Sequence, residues 1–337
     1  MSLGRCRICG DQSPLISSQL GVCLQCIRDK PEEALKITDE VHAESRGVFG
    51  LPPKPPRDPD GISCGVCSND CKIGEGEKGF CGLVFNRGGR LVRMGGTTEK
   101  GILQWYYDPL PTNCVAWWFC PGCTGAGYPK YAYKRGPETG YANLAVFYGA
   151  CSLDCLYCQN WHYRNLAAKL GPVMSAESLA AKADSHVSCI CYFGGDPSVQ
   201  MPHALKTSQM ALERTRDEGR ILRICWETNG YWKKELALKA AELSYISWLE
   251  IFTGAEWVNY SWAKTYFSAL AGGFLHLGWD LTMHGDINLC FSFTSLPNPF
   301  VNHTVLAMIG MVSASLILPS YFVGKKINRG SPFKKLP

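Results

Sequence analysis

The sequence predicts an α/β protein built on a parallel sheet and preceded by cysteine-rich metal-binding modules. Three observations carry this. From Asn143 onward, apolar strand-like runs alternate with amphipathic helical stretches. The three most unusual short sequences of that region, CSLDCLYCQN, FGGDPS and ETNG, each follow one of the apolar runs. Upstream, most of the 18 cysteines fall in pairs or triplets two or three residues apart, a spacing that suits metal ligation and is too tight for a long-range disulfide framework.

The elements of the alternating region follow in order. NLAVFYGA reads as a strand, SAESLAAKADSH as a helix capped by Ser175, and VSCICYFGG as a second strand. HALKTSQMALERTRDEG is a helix, ILRICWETNG a third strand and KKELALKAAELS a closing helix. Strand and helix alternating at this interval predict parallel strands joined by right-handed crossovers. The loops after the strands then gather at one edge of the sheet, where ligands bind in such folds. CSLDCLYCQN, FGGDPS and ETNG should therefore meet at one site.

Composition bounds the class. A chain of 337 residues, 46% apolar and 19% charged, is globular and long enough for two or three domains. A formal charge of +5 implies no particular partner, which makes nucleic-acid binding an unfavoured reading. The first residues, MSLGRCRICGDQSPLISSQL, lack the uninterrupted apolar core of a signal peptide, and the expectation is a reducing cytosol with thiolates kept for metals.

The upstream modules are read from their ligands. CRIC and CLQC put Cys6, Cys9, Cys23 and Cys26 on two knuckles that can close a zinc-ribbon-like tetrahedron, giving a module over residues 1–28. Residues 29–61 form a helix and a linker. Asp29 is the expected cap, Pro31 suits the first turn, and Ala34, Leu35, Thr38 and Val41 share a face. GLPPKPPRDPDG then reads as a semi-rigid proline-rich connection. Residues 62–140 carry a second closed site at Cys64, Cys67, Cys71 and Cys81, suited to zinc or to an iron–sulfur cluster. Cys114, Cys120 and Cys123 form a third group, read either as a metal site or as buried thiols with no metal of their own. Cys189, Cys191 and Cys225 lie within strands and are expected in the core.

Three thiols after the first strand differ in kind from these sets of four. A cubane cluster has four irons, so three cysteine ligands leave one iron open to bind and activate something. CSLDCLYC has the C-x3-C-x2-C form of the radical S-adenosylmethionine (SAM) enzymes, and the sequence resembles that family. The CQN that follows, FGGDP, CWETNG and the upstream CGVCSNDCKIGEGEKGFCG are similar to the branch related to pyruvate formate-lyase activating enzymes. The resemblance covers about residues 64–247, with a core at 141–247. It implies a partial (β/α) TIM-like barrel in which Cys151, Cys155 and Cys158 hold a [4Fe-4S] cluster whose open iron binds SAM. Reduction of that cluster would cleave SAM to methionine and a 5′-deoxyadenosyl radical that abstracts hydrogen from a substrate, as in a glycyl-radical-activating-like enzyme. The electron would come from a donor such as ferredoxin or flavodoxin. By the same resemblance Tyr157 lies near the adenine, and Gly194 and Gly195 let backbone carbonyls reach the SAM ammonium while Asp196 adds charge. Glu227, Thr228 and Asn229 contact the methionine or ribose part.

After Ser247 the pattern departs from that family, giving a divergent apolar tail at 248–337. The Asp and Lys pair expected on a following strand is missing, and no charged residue occurs between Asp286 and Lys325. A membrane segment over residues 305–323, a buried barrel segment and a non-homologous, frame-shifted tail are the three readings. The rival to the enzyme is a non-catalytic zinc or iron–sulfur module with a degenerate barrel that recognises a protein or nucleic acid.

Overall fold

The structure, a computed structural model, describes residues 3–244 except 113, 115, 116, 118 and 119. The divergent tail and its apolar 305–323 stretch lie outside the described residues. Among the described residues no helix is long and apolar enough to cross a membrane.

The N-terminal module is a hairpin of β1 (Gly4–Arg5) and β2 (Gln12–Ser13), followed by the short helix α1 (Leu24–Asp29) and the long helix α2 (Pro31–Gly47). Cys23 caps α1, its sulfur accepting from the Cys26 N–H at 3.4 Å. Asp29 closes α1 and does not cap α2; Lys30 takes the cap position and forms no side-chain cap bond. Pro31 begins α2, where its missing N–H leaves nothing unsatisfied. The docked face also differs from the expected one. Ala34 and Ile37 pack on Cys6, Ile16, Val22, Cys23 and Cys26, whereas Leu35 is 61% exposed. The cysteine knuckles sit against one side of the helix and select that stripe.

Two more hairpins follow, β3 (Ile62–Ser63) with β4 (Lys72–Ile73) and β5 (Val84–Asn86) with β6 (Leu91–Arg93). The proline-rich stretch is hydrogen-bonded to the first of them, with Lys72 N–H donating to the Pro56 carbonyl at 3.0 Å and Asp58 N–H to the Lys72 carbonyl at 3.2 Å. Leu51, at its start, is buried.

The main sheet comprises β7 (Gly101–Pro109), β8 (Ala142–Tyr148), β9 (Val173–Met174), β10 (Val187–Gly194) and β11 (Arg223–Trp226) in the order β11-β10-β8-β7-β9. β8, β10 and β11 are parallel neighbours, as the alternation predicts. Helices α4 (Tyr163–Lys169) and α5 (Ala176–Ala180) lie in the first crossover, α6 (Met201–Asp217) in the second, and α7 (Lys234–Ser244) follows β11. α3 (Pro121–Thr124) is a single turn before the sheet's first parallel strand. β7 and β9 run antiparallel at the other edge. No helical pattern follows β7 in the sequence, so the strand–helix rhythm gave no sign of it. Among the described residues the sheet stays open and no closed barrel forms.

Both faces of the parallel strands are covered, which is why they read as unbroken apolar runs. Leu144, Val146, Tyr148, Ile190, Tyr192 and Ile224 pack with Leu179, Ala204, Ala211 and Leu212 of the helices. The opposite face meets the cysteine-rich segments: Phe147 packs with Ile73, Phe80 and Leu83, and Cys189 with Cys120 and Cys123. α5 keeps its Ser175 cap, with Ser178 N–H donating to the hydroxyl at 3.1 Å, but ends at Ala180. The carbonyls beyond are taken by arginines, Arg214 on Ala180 and Ala183 and Arg220 on Asp184.

His203 locks this core. Its Nε2–H donates to the Met174 carbonyl at 3.0 Å, so Nδ1 accepts from the Tyr148 hydroxyl at 2.7 Å and the ring is neutral. Burial lowers its pKa to about 4. Because the folded value lies below the unfolded one, near 6.5, this stability is complete above pH 6.5 and is lost as pH falls toward 4. The loss amounts to about 3 kcal/mol. Urea unfolding of the parent and of His203→Gln should diverge in pH slope across that window, the variant losing less. Parallel slopes would refute the assignment.

Candidate metal and cofactor site

The C-terminal ends of β8, β10 and β11 bring CSLDCLYC, GGDP and ETNG to one edge of the sheet. Their connections are direct. Past the end of β10, Gly195 N–H donates to the Tyr148 carbonyl and Asp196 N–H to the Ala150 carbonyl, both at 2.9 Å, extending the strand pairing into the cysteine loop. The two glycines are required for this approach. Gly194 has φ +105°, and a Cβ there would lie 2.7 Å from Tyr148 N; a Cβ on Gly195 would lie 2.0 Å from the Ala150 carbonyl oxygen. The space freed by the missing side chains is filled by the chain that leads into Cys151.

Asp196 is 2% exposed, and its carboxylate ties the second loop to the third. It accepts from Ser198 N–H at 2.7 Å, the Thr228 hydroxyl at 2.9 Å and Asn229 N–H at 2.6 Å. Burial raises its pKa against these donors. Asn229 carries the connection back to the first loop, its amide donating to the Ser152 hydroxyl at 3.0 Å and to the Cys151 sulfur at 3.6 Å. Glu227 is half-buried at the end of β11, with its N–H on the Tyr192 carbonyl. Tyr157 is 72% exposed at the rim.

The cysteine loop is held from beneath by Asp154, a residue the sequence reading passed over. It is 1% exposed, has φ +58°, and binds Arg46 of α2, the Tyr163 hydroxyl and Arg164 Nε, the last at 2.5 Å. His42 of α2 meets the Asp154 carbonyl at 2.7 Å. Arg46, 1% exposed, also donates to the Pro52 and Phe80 carbonyls and lies 3.6 Å from the centre of the Phe80 ring. A helix from the N-terminal segment therefore clamps the loop. No local pattern could have revealed a partner 108 residues away; an aspartate inside a cysteine triplet was the one available signal.

The thiol sets differ in spacing. Among the described residues, Cys6, Cys9, Cys23 and Cys26 are the set whose ligand atoms all lie within 4.8 Å of one another. Cys9 and Cys23 are 3.7 Å apart. A tetrahedral ion with metal–sulfur bonds of about 2.3 Å spans about 3.8 Å between thiolates, so this set fits one ion. Burial acts to raise the Cys6 thiol, yet N–H donors of Cys9, Cys23 and Ile8 bring it down to about 6. Cys151, Cys155 and Cys158 are three thiols on one loop, the donor number that leaves one iron of a cubane open. Burial raises all three, Cys158 to about 11. The donor set fits a cluster.

Cys64, Cys67, Cys71 and Cys81 line a recess shared with Val84 and Val199, directly beside the loop. Asn69 donates to the Ser152 carbonyl at 2.6 Å, and Ser68 to the Trp232 carbonyl at 2.6 Å. Burial pushes Cys67 up to about 12 and raises Cys71 and Cys81.

An open α/β sheet with a C-x3-C-x2-C loop at its strand ends defines a class of cluster-binding domain, and residues 145–251 match the Radical SAM superfamily. The chain carries a radical SAM domain there, together with an N-terminal four-cysteine group. An uncharacterized protein of Methanocaldococcus jannaschii is 28% identical over 182 residues, covering 53% of this chain. The chain spans about half the length of that curated relative, 46% of it. No solved structure matches the chain.

Proposed function

We propose that this chain is a radical SAM enzyme in which Cys151, Cys155 and Cys158 hold a [4Fe-4S] cluster with one iron left for SAM. The observation that carries this is the convergence of the cysteine loop with GGDP and ETNG through Asp196 and Asn229. When bound and reduced, the cluster supplies the electron that cleaves SAM and starts hydrogen abstraction from an organic substrate. The chain's own residues orient and insulate. Gly194 and Gly195 bring the second strand onto the cysteine loop, Asp196 holds the third loop to it, and the Asn229 amide supports Cys151. Tyr157, exposed at the rim, supplies a ring for the adenine, and Glu227 and Thr228 face the methionine or ribose end. Cys6, Cys9, Cys23 and Cys26 hold zinc as a structural ribbon, and Cys64, Cys67, Cys71 and Cys81 form a second closed metal centre.

The sequence CQN and the CWETNG of β11 support a setting in the activating-enzyme-like branch, with a cytoplasmic low-potential protein such as ferredoxin or flavodoxin as donor. The reading is tested on the anaerobically reconstituted full chain. Dithionite and SAM should yield 5′-deoxyadenosine and methionine, and SAM should perturb the electron paramagnetic resonance (EPR) signal of the reduced cluster. Zinc as the sole metal after reconstitution would favour the non-catalytic module instead.

A further inference from the structure

A fourth group of thiols lies on the inner face of the sheet. Cys189 and Cys191 alternate with Ile190 and Tyr192, which face the helices, so both cysteines point the other way. Register pairs Cys189 with Arg223 and Cys191 with Cys225. On this face Cys120, Cys123 and Cys189 are buried with Leu110 in one cluster, and Cys225 packs against it. Cys120 and Cys225 are 105 positions apart in the sequence, and only the docking of the CPGC turn on β10 and β11 unites them.

The thiols come from two places, Cys120 and Cys123 from the CPGC turn and Cys189 and Cys225 from neighbouring strands. Cys123 donates to the Thr112 carbonyl at 3.7 Å and Cys189 to the Asn143 side-chain oxygen at 3.4 Å. No three of these sulfurs lie mutually within 4.8 Å, so they do not surround a single ion as the N-terminal set does. Two thiols from the turn and two from the strands, packed in one cluster, match the donor set of a two-iron cluster, in which each tetrahedral iron takes two thiolates and sulfides bridge the irons.

Arg223 is an independent sign of an acceptor here. It is 4% exposed, and its terminal nitrogens are bound to Glu138, Ser188 and the Tyr131 carbonyl. Its Nε, fully buried, has no partner. A Cβ on Gly122 would come within 2.8 Å of the guanidinium, so the CPGC turn packs against it. An unpaired buried N–H is unfavourable unless something accepts it, and a thiolate or sulfide would. Hydrogen bonds and positive charge near the sulfurs also set a cluster's potential.

We propose that Cys120, Cys123, Cys189 and Cys225 ligate a [2Fe-2S] cluster beside Arg223. The site is distinct from the cysteine loop; along β10, Cys189 lies about 16 Å from Gly194, counting five residues of strand. Burial of the CPGC pair disfavours the other chemistry such a pair could offer, thiol–disulfide exchange with a protein partner.

The test uses the full chain, reconstituted and crystallised without oxygen. Anomalous scattering at the iron edge should place two irons between the pairs. No metal, zinc, a four-iron cluster or disulfides there would each overturn the proposal. In solution, Cys120→Ser/Cys225→Ser should lose about two irons and two sulfides per chain and keep the SAM-responsive EPR signal of the cysteine loop. An unchanged iron count in this variant, with the circular dichroism of the parent, would also overturn it. Loss of the SAM-responsive signal from the parent, with the two irons present, would sink the proposed function alone.

Discussion

Changing Cys151, Cys155 and Cys158 together to alanine is expected to reduce 5′-deoxyadenosine formation to background and lower the iron content by about four atoms per chain. The loss should not come from unfolding. Cys155 and Cys158 are only half-buried, and the loop is held by Asp154 and by the backbone bonds of Gly195 and Asp196. Circular dichroism and urea midpoints of the apo proteins should stay close. The pH dependence of loading follows from the same thiols. Burial raises Cys151, Cys155 and Cys158 above their ordinary values, so each gives up a proton when it binds iron. Loading should therefore tighten as pH rises from 7 toward 9, by as much as about tenfold per pH unit for each thiol still protonated. Loading that is flat or falls with pH would contradict this, as would full SAM cleavage by the triple variant.

Asp154→Ala is expected to destabilise the apo chain by about 3–5 kcal/mol, the range seen when one partner of a buried ion pair is removed. Both guanidiniums would stay buried without their anion. Burial already lowers the Arg46 pKa, and Asp154 is the group that opposes it. Alanine would also be strained at φ +58°, a conformation that aspartate and asparagine tolerate. Asp154→Asn should therefore recover the backbone part but not the charge, and fall between parent and alanine. Equilibrium unfolding in urea reads the stability, and iron content after reconstitution reads the loop. If all three proteins unfold at the same urea concentration, the clamp is not what holds α2 to the cysteine loop.

Local pattern carried the parts of the fold that depend on near neighbours. The alternation from Asn143 onward is visible because β8 and β10 are buried on both faces, and so must be apolar throughout. CSLDCLYC is legible because its ligands lie on one loop. Asp29, by contrast, looks like a cap and is not one, because α1 ends there and its chain turns at Lys30. Leu35 looks like part of the packed stripe, yet the knuckles dock against Ala34 and Ile37. β7 went unread because its partner is an antiparallel neighbour, with no crossover helix to mark it. GGDP signalled a close approach, but not of what: the sequence shows that a Cβ is missing, and only the packing shows that Tyr148 and Ala150 use the space.

By itself, the sequence determined how the thiols group, three at one strand end and two sets of four, and gave a strand–helix rhythm that makes a parallel sheet. Ligand spacing and hydrophobic period are local properties, and a linear chain states them directly. The tertiary structure decided which groups from distant segments share a site. It set Arg46 beneath the cysteine loop and Asp196 between loops two and three. It also turned Cys189 and Cys225, which the sequence marks only as core thiols, toward Cys120 and Cys123. Those choices depend on how the N-terminal modules cover the inner face of an open sheet, a surface that exists only once the strands have paired.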